Sequence, residues 1–181
     1  ILVILNNSFE FFVTFYAAAD LGAVIIPVNS SLNKNDLINQ IKHTDTKYLV
    51  CWHVILNELL NDSKLYFPLN RKNCIVVGNK VKGCLNFDKL IEYSPENYNL
   101  GNQNFSDEIN FIFGLTSGST SEPKAIIFSQ KTKILRSLHA RDLYKLNEED
   151  VIIVSTPMYH SISQRLIILP IIIGGTCVIM E

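Results

Sequence analysis

Residues 115–124, LTSGSTSEPK, gather the side chains of this sequence best suited to holding an anion. Five hydroxyls (Thr116, Ser117, Ser119, Thr120 and Ser121) crowd around Gly118, and Pro123 and Lys124 close the run. Hydroxyls and exposed backbone N–H groups suit phosphate oxygens, and glycine lets the backbone approach them closely. Lysine adds a mobile positive charge with three donors. The local chemistry therefore favours a polyphosphate. Two other readings fail. A P-loop requires GxxxxGK followed by Ser or Thr, whereas Lys124 follows Pro123 and precedes Ala125. Ser121 and Lys124 match the SxxK of penicillin-binding enzymes, but Pro123 intervenes, residues 125–128 read as a strand, and no SDN or KTG follows. On the loop alone, a solvated Ser/Thr turn in a hairpin stays open beside the phosphate reading.

The loop lies between two apolar segments, 109–115 and 125–128, which read as strands. A helix over about 129–145, a strand at 151–155 and a further helix–strand unit follow. Upstream, Ile1–Leu5 reads as a short buried strand. Ser8 is placed to cap a helix whose apolar stripe is Phe9, Phe12, Val13, Tyr16 and Ala17, with Gly22 as its stop. A strand at 23–26 ends at Pro27. Leu37, Ile38 and Ile41 then fall at helical spacing, and 48–51 reads as another strand. Strands alternating with helices at this rhythm predict an α/β fold, with mainly parallel sheets flanked by helices. Residues 94–107, SPENYNLGNQNFSD, are polar and asparagine-rich, and read as a connector between a first lobe (1–93) and a second (108–181). Six Lys or Arg against the single acid Asp142 make 124–145 basic. That is a solvated helix face, or a field drawing a polyanion to the adjacent loop.

Composition bounds the class. With 181 residues, 48% hydrophobic and 18% charged, the chain can bury a sizeable core and is not disordered. A net charge of −1 argues against a nucleic-acid binder working through bulk charge. Cys51, Cys74, Cys84 and Cys177 form no CxxC pair, so they read as reduced and buried. The longest uncharged run, 166–180, is broken by Pro170 and Gly174-Gly175, and is shorter than the ~20 residues a spanning helix needs.

The loop resembles the phosphate-binding signature of the AMP-forming, adenylate-forming enzyme superfamily: acyl- and aryl-CoA synthetases, luciferases and peptide-synthetase adenylation domains. That signature runs roughly Y/F-T-S-G-S/T-T-G-x-P-K-G. Thr116, Ser117, Gly118, Ser119, Thr120, Pro123 and Lys124 match it, and Leu115, Ser121 and Ala125 depart from it. Downstream, TPMYHSIS at 156–163 is similar to the family's PxxH segment, with Ser163 where glycine is common. Thr116 and His160 are 44 residues apart, as in the family. The early stretch ILNNSFEFFVTFYAAADLGAVIIPVNSSLNKNDL and the later IIIGGTCVIM resemble, in order, the segment leading into "aGavyvPlnp" and the Gly-Gly turn after the histidine helix.

The resemblance implies that the chain is part of an N-terminal AMP-binding domain, an incomplete large domain without its C-terminal one. It implies a carboxylate attacking the α-phosphorus of ATP, an acyl-adenylate with release of pyrophosphate, and transfer to a thiol such as coenzyme A. Thr116, Ser117, Gly118, Ser119, Thr120 and Lys124 would hold the β- and γ-phosphates, with Mg2+ sharing their oxygens and its protein ligand unassigned. His160 would stand near the reacting carboxylate, with Lys124 as its catalytic companion. His43, His53 and His139 have no motif and read as structural; Met158 and Tyr159 read as packing. The family's adenine turn, ribose-binding aspartate and C-terminal lysine have no counterpart in these residues, so the chain alone is expected to lack ligase activity. A non-catalytic remnant, or a nucleotide- or protein-binding module, is the alternative. ATP-dependent chemistry places the protein in the cytoplasm by expectation; the acid substrate and the oligomeric state are not legible.

Overall fold

A computed structural model describes residues 1–93, 106, 108–116 and 124–180, with backbone alone at 115, 116, 124 and 125. In chain order the elements are β1 (Leu2–Ile4), α1 (Phe9–Asp20), β2 (Ile26–Pro27), α2 (Lys34–His43), β3 (Leu49–Trp52), α3 (His53–Asn61), β4 (Cys74–Val77), β5 (Leu85–Asn86) and α4 (Phe87–Glu92). They continue with β6 (Asn110–Thr116), β7 (Lys124–Ser129), α5 (Gln130–Tyr144), β8 (Val151–Val154), α6 (Ser161–Ile173) and β9 (Thr176–Ile179). The fold is α/β, with parallel strands flanked by helices. Two compact units divide the chain: Ile1–Leu5 with Val28–Gln103, and Asn6–Pro27 with Asn104–Glu181. Apart from Ser106, the connector expected at 94–107 lies outside the described residues.

In the first unit β1, β3, β4 and β5 lie side by side in that order, all parallel. Leu2, Val3, Ile4, Leu49, Val50 and Cys51 are almost wholly buried. Consecutive buried residues mean that both faces of these strands are covered, as βαβ crossovers require. Leu37, Ile38 and Ile41 of α2 and Leu56 and Leu59 of α3 are buried with them. Cys51 and Cys74 are buried, but Cys84 and Cys177 are only partly so, which corrects the expectation of four buried thiols. Burial and the neighbouring Cys84 thiol push the Cys74 thiol up to about 12. Both interactions favour its protonated form.

In the second unit α1 follows its local signals. Ser8 accepts from the Phe11 amide at 3.1 Å, and Glu10 adds negative charge to the first turn. At the other end Ala23 N donates to Ala18 O (2.8 Å) and Gly22 N to Ala19 O (3.2 Å), with Gly22 at φ +64°. This is a Schellman closure that favours glycine. The buried face, however, is Phe11, Thr14, Phe15 and Ala18, and Phe9 is 64% exposed, so the expected stripe of Phe9, Phe12, Val13, Tyr16 and Ala17 is wrong. The helix is apolar nearly all round, so periodicity cannot choose its inner face. Packing chooses it: the Phe15 ring meets Phe111 of β6 edge-on at 4.9 Å. Ser8→Ala is expected to destabilise the second unit by about 1 kcal/mol, read from the shift of its urea midpoint. An unchanged midpoint would show that the cap contributes nothing.

Around this helix, β6 and β7 pair antiparallel and β8 and β9 pair parallel. Ile25 bridges to β6 by exchanging backbone bonds with Phe111 and Phe113 (2.7 and 2.9 Å). Helix α5 presents Lys133, Ser137 and Ala140 inward, spaced four and then three residues apart. The small residues at two of these positions admit α6 to close packing. Ala140, Ile152 and Leu169 form one apolar cluster, with Leu146, Leu166 and Ile173 against it. Between α6 and β9 the Gly-Gly turn has two separate reasons. Gly174 sits at φ +74°, and a Cβ on Gly175 would come within 2.7 Å of the Asp150 carbonyl oxygen. Among the described residues no helix is long and apolar enough to cross a membrane.

Candidate functional site

The hydroxyl-rich loop is held by a hairpin. In the β6–β7 ladder Thr116 lies opposite Lys124, directly after Leu115 opposite Ala125. Thr116 and Lys124, the two ends of the signature, are thus cross-strand partners on backbone geometry. Ser117, Gly118, Ser119 and Thr120, with Ser121, Glu122 and Pro123, lie outside the described residues. β7 runs straight into α5. There Ser129 caps the helix by accepting from Thr132 N at 3.2 Å, and Gln130 Nε2 donates to the Ala19 carbonyl at 2.6 Å. The loop's exit strand is therefore tied through the start of α5 to the end of α1.

The histidine segment is built at the junction of β8 and α6. His160 is exposed and occupies the N-cap position of α6, with no side-chain cap bond. Its amide donates to Pro157 O at 3.0 Å, and its carbonyl accepts from Gln164 N at 3.2 Å. The Tyr159 ring lies against the imidazole, centroids 4.2 Å apart, while Met158 is buried. Ser163, which stands where the family pattern commonly has glycine, is fully buried. Its hydroxyl donates to Thr156 O at 2.9 Å and also contacts the Thr156 hydroxyl. The larger residue is accommodated because Thr156 supplies its partners.

Two side chains bonded to the histidine segment and its helix are missed by the sequence reading. The first is Lys133, read there as part of a solvated basic face but only 4% exposed. Its ammonium donates to Gln164 Oε1 (2.6 Å) and Ser161 Oγ (3.1 Å), and stands 4.5 Å from the centroid of the Phe128 ring. Burial, reinforced by Arg136 and Arg165, lowers its pKa to about 8. Its inward spacing with Ser137 and Ala140 is the signal that would have found it. The second is Asn7, whose side chain reaches Thr156, Met158 and Met180. No local pattern marks that role. The rest of the basic helix is ordinary: Lys131 pairs with Glu108 at 2.7 Å, and Arg141 with Asp142 at 2.7 Å.

The second unit thus joins a hairpin, whose turn is a Ser/Thr/Gly/Lys loop, to a helix that begins at a histidine. This fold is that of acyl-CoA and aryl-CoA ligases. An anthranilate CoA ligase crystallised with anthranoyl-AMP superposes with a TM-score of 0.86 at 21% identity, over 98% of this chain and 34% of that one. The family model described as AMP-binding enzyme matches residues 1–181, and the chain belongs to that family. Relatives include a 4-coumarate:CoA ligase of Petunia hybrida, 24% identical over 100% of this chain and 33% of its own. A crotonobetaine/carnitine–CoA ligase of a Proteus strain is 25% identical over 98% of this chain and 35% of its own. The chain therefore spans about a third of the length of the relatives it matches.

Proposed function

We propose that this chain is the segment of an ATP-dependent carboxylate–CoA, or other carboxylate–thiol, ligase that holds the ATP phosphates and flanks the acyl site. The observation that carries this reading is the signature loop closed at its base by the Thr116–Lys124 pairing. Backbone N–H groups and hydroxyls from Thr116 to Thr120, with the Lys124 ammonium, hold the β- and γ-phosphates. They also offset the charge that gathers on pyrophosphate as it leaves. Magnesium bound to ATP would offset charge on the phosphates, beside the Lys124 ammonium. One carboxylate oxygen of the substrate attacks the α-phosphorus and the bond to pyrophosphate breaks, leaving an acyl-adenylate. The thiol then displaces AMP and loses its proton. His160, exposed at the start of α6, stands beside the acyl group.

Coumarate, long-chain fatty acids and carnitine derivatives, the acids in the names of its relatives, define the panel to try first. With these 181 residues alone, ATP–pyrophosphate exchange is expected to stay at the level of a no-protein control. The loop assignment is tested on this chain by limited proteolysis. Mg-ATP or pyrophosphate is expected to protect residues 115–124, and Lys124→Ala to weaken that protection about 100-fold in ligand concentration. Equal cleavage with and without ligand, in a sample shown to be folded, would count against it.

A further inference from the structure

We propose that Asn7 is the positioning residue for His160, a role that rests on the ligase reading above. Its side chain reaches across 149 to 173 residues of sequence to three backbone groups of the same unit. Nδ2 donates to Thr156 O and to Met180 O, both at 3.0 Å, and Oδ1 accepts from Met158 N at 2.8 Å. Both amide hydrogens and one oxygen lone pair are thus engaged, which only a carboxamide can do at one point.

These bonds fall where the backbone lacks a ladder. β8 ends at Val154, α6 starts at Ser161, and residues 155–157 between them are exposed. Asn7 takes the Met158 amide and the Thr156 carbonyl, and the Pro157 carbonyl takes the His160 amide (3.0 Å). Only Tyr159 therefore separates the Asn7 contact at Met158 from the histidine. The third bond, to Met180, ties the same point to the residue that follows β9, whose own amide donates to Val154 O at 3.0 Å. Asn7 staples the ends of β8 and β9 together at the place where the chain turns toward His160. Ser163 holds Thr156 from the α6 side, so the segment is gripped from two directions.

Asparagine is the residue this geometry requires. Aspartate keeps the acceptor for Met158 N but loses both donors, and sets an anionic oxygen against the Thr156 and Met180 carbonyl oxygens. Alanine removes the Asn7 partner of all three groups and leaves Thr156 O with the Ser163 hydroxyl alone.

The test has two arms. In this chain, hydrogen–deuterium exchange read by NMR is expected to speed at the Met158 amide by about tenfold or more in Asn7→Ala. Asn7→Asp, which retains the acceptor, should change it less, with amides in the middle of α6 unaffected in both. Unchanged exchange at Met158 in Asn7→Ala would overturn the proposal. The second arm uses the natural polypeptide that carries this sequence, in ATP–pyrophosphate exchange with 4-coumarate, crotonobetaine and a long-chain fatty acid as probes. Asn7→Ala and Asn7→Asp are expected to lower kcat about 10- to 100-fold with KM for ATP unchanged. Adding Asn7→Ala to His160→Ala should cost little more than His160→Ala alone. A loss that adds in full, or one that falls on KM for ATP, would overturn the proposal and leave Asn7 a structural residue. No exchange by the wild-type polypeptide with any probe would overturn the ligase reading instead, and the Met158 amide would still decide whether Asn7 holds the segment. If Asn7→Ala fails to fold, Asn7→Asp answers in the kinetic arm through its lost donors.

Discussion

Phe15→Ala is expected to destabilise the second unit by about 3–5 kcal/mol, against less than about 0.5 kcal/mol for Phe9→Ala. Phe15 is 1% exposed and packs on Phe11, Tyr16 and Phe111, with ring centroids at 6.4, 5.6 and 4.9 Å. Truncation removes the transfer free energy of a phenyl ring and leaves a cavity under β6 that rigid neighbours fill only in part. Phe9 is of the same residue type and six positions earlier, but it stands mostly in water, so its loss changes little. Urea denaturation of the two variants, followed by a probe in the second unit, measures the difference directly. Similar losses from both would mean that α1 is packed on a different face. The effect should also reach the loop, because Phe111 lies on β6, the strand that delivers Thr116.

Lys133→Met is expected to abolish a rise of stability with pH that the wild-type chain shows between about 8 and 10.5. The direction follows from where the proton sits. Burial, with repulsion from Arg136 and Arg165, lowers the folded-state pKa from 10.5 to about 8. Below about pH 8 both folded and unfolded chains hold the proton, and the cost of burying the charge is fully present. Between the two values only the unfolded chain still holds it, so stability climbs as pH rises. The full span corresponds to about 3 kcal/mol. Gln164 Oε1, Ser161 Oγ and the Phe128 ring favour the ammonium, and desolvation outweighs them. Thiols and tyrosines also titrate in this range, so the quantity to measure is the difference between wild type and variant across pH. A difference that stays constant with pH would show that the amine is solvated.

Lys133 and Asn7 mark the boundary of what a linear reading can reach. The family was legible because its signature is contiguous: a loop such as 115–124 must carry its phosphate donors side by side, whatever surrounds it. Alternation of strands and helices was legible for a similar reason. Caps such as Ser8 and stops such as Gly22 act within four residues of themselves. The Gly174-Gly175 turn belongs here too, since a left-handed φ and a close carbonyl each exclude a side chain.

Everything that depended on a distant partner was decided by the tertiary structure. The inner face of α1 followed from the position of Phe111, because FEFFVTFYAAAD offers an apolar surface in every direction. Lys133 looked like one more cation on a basic helix until α6 covered it. Ser163 looked like a departure from pattern until Thr156 was found beside it. Asn7 carries no local signal, since its partners lie 149 or more residues away and are backbone groups, which every residue but proline supplies alike. The amino-acid sequence by itself determined which chemistry the loop can offer and which elements carry it. Folding determined which side chains hold the histidine segment, because that choice belongs to distances no spacing along the chain encodes.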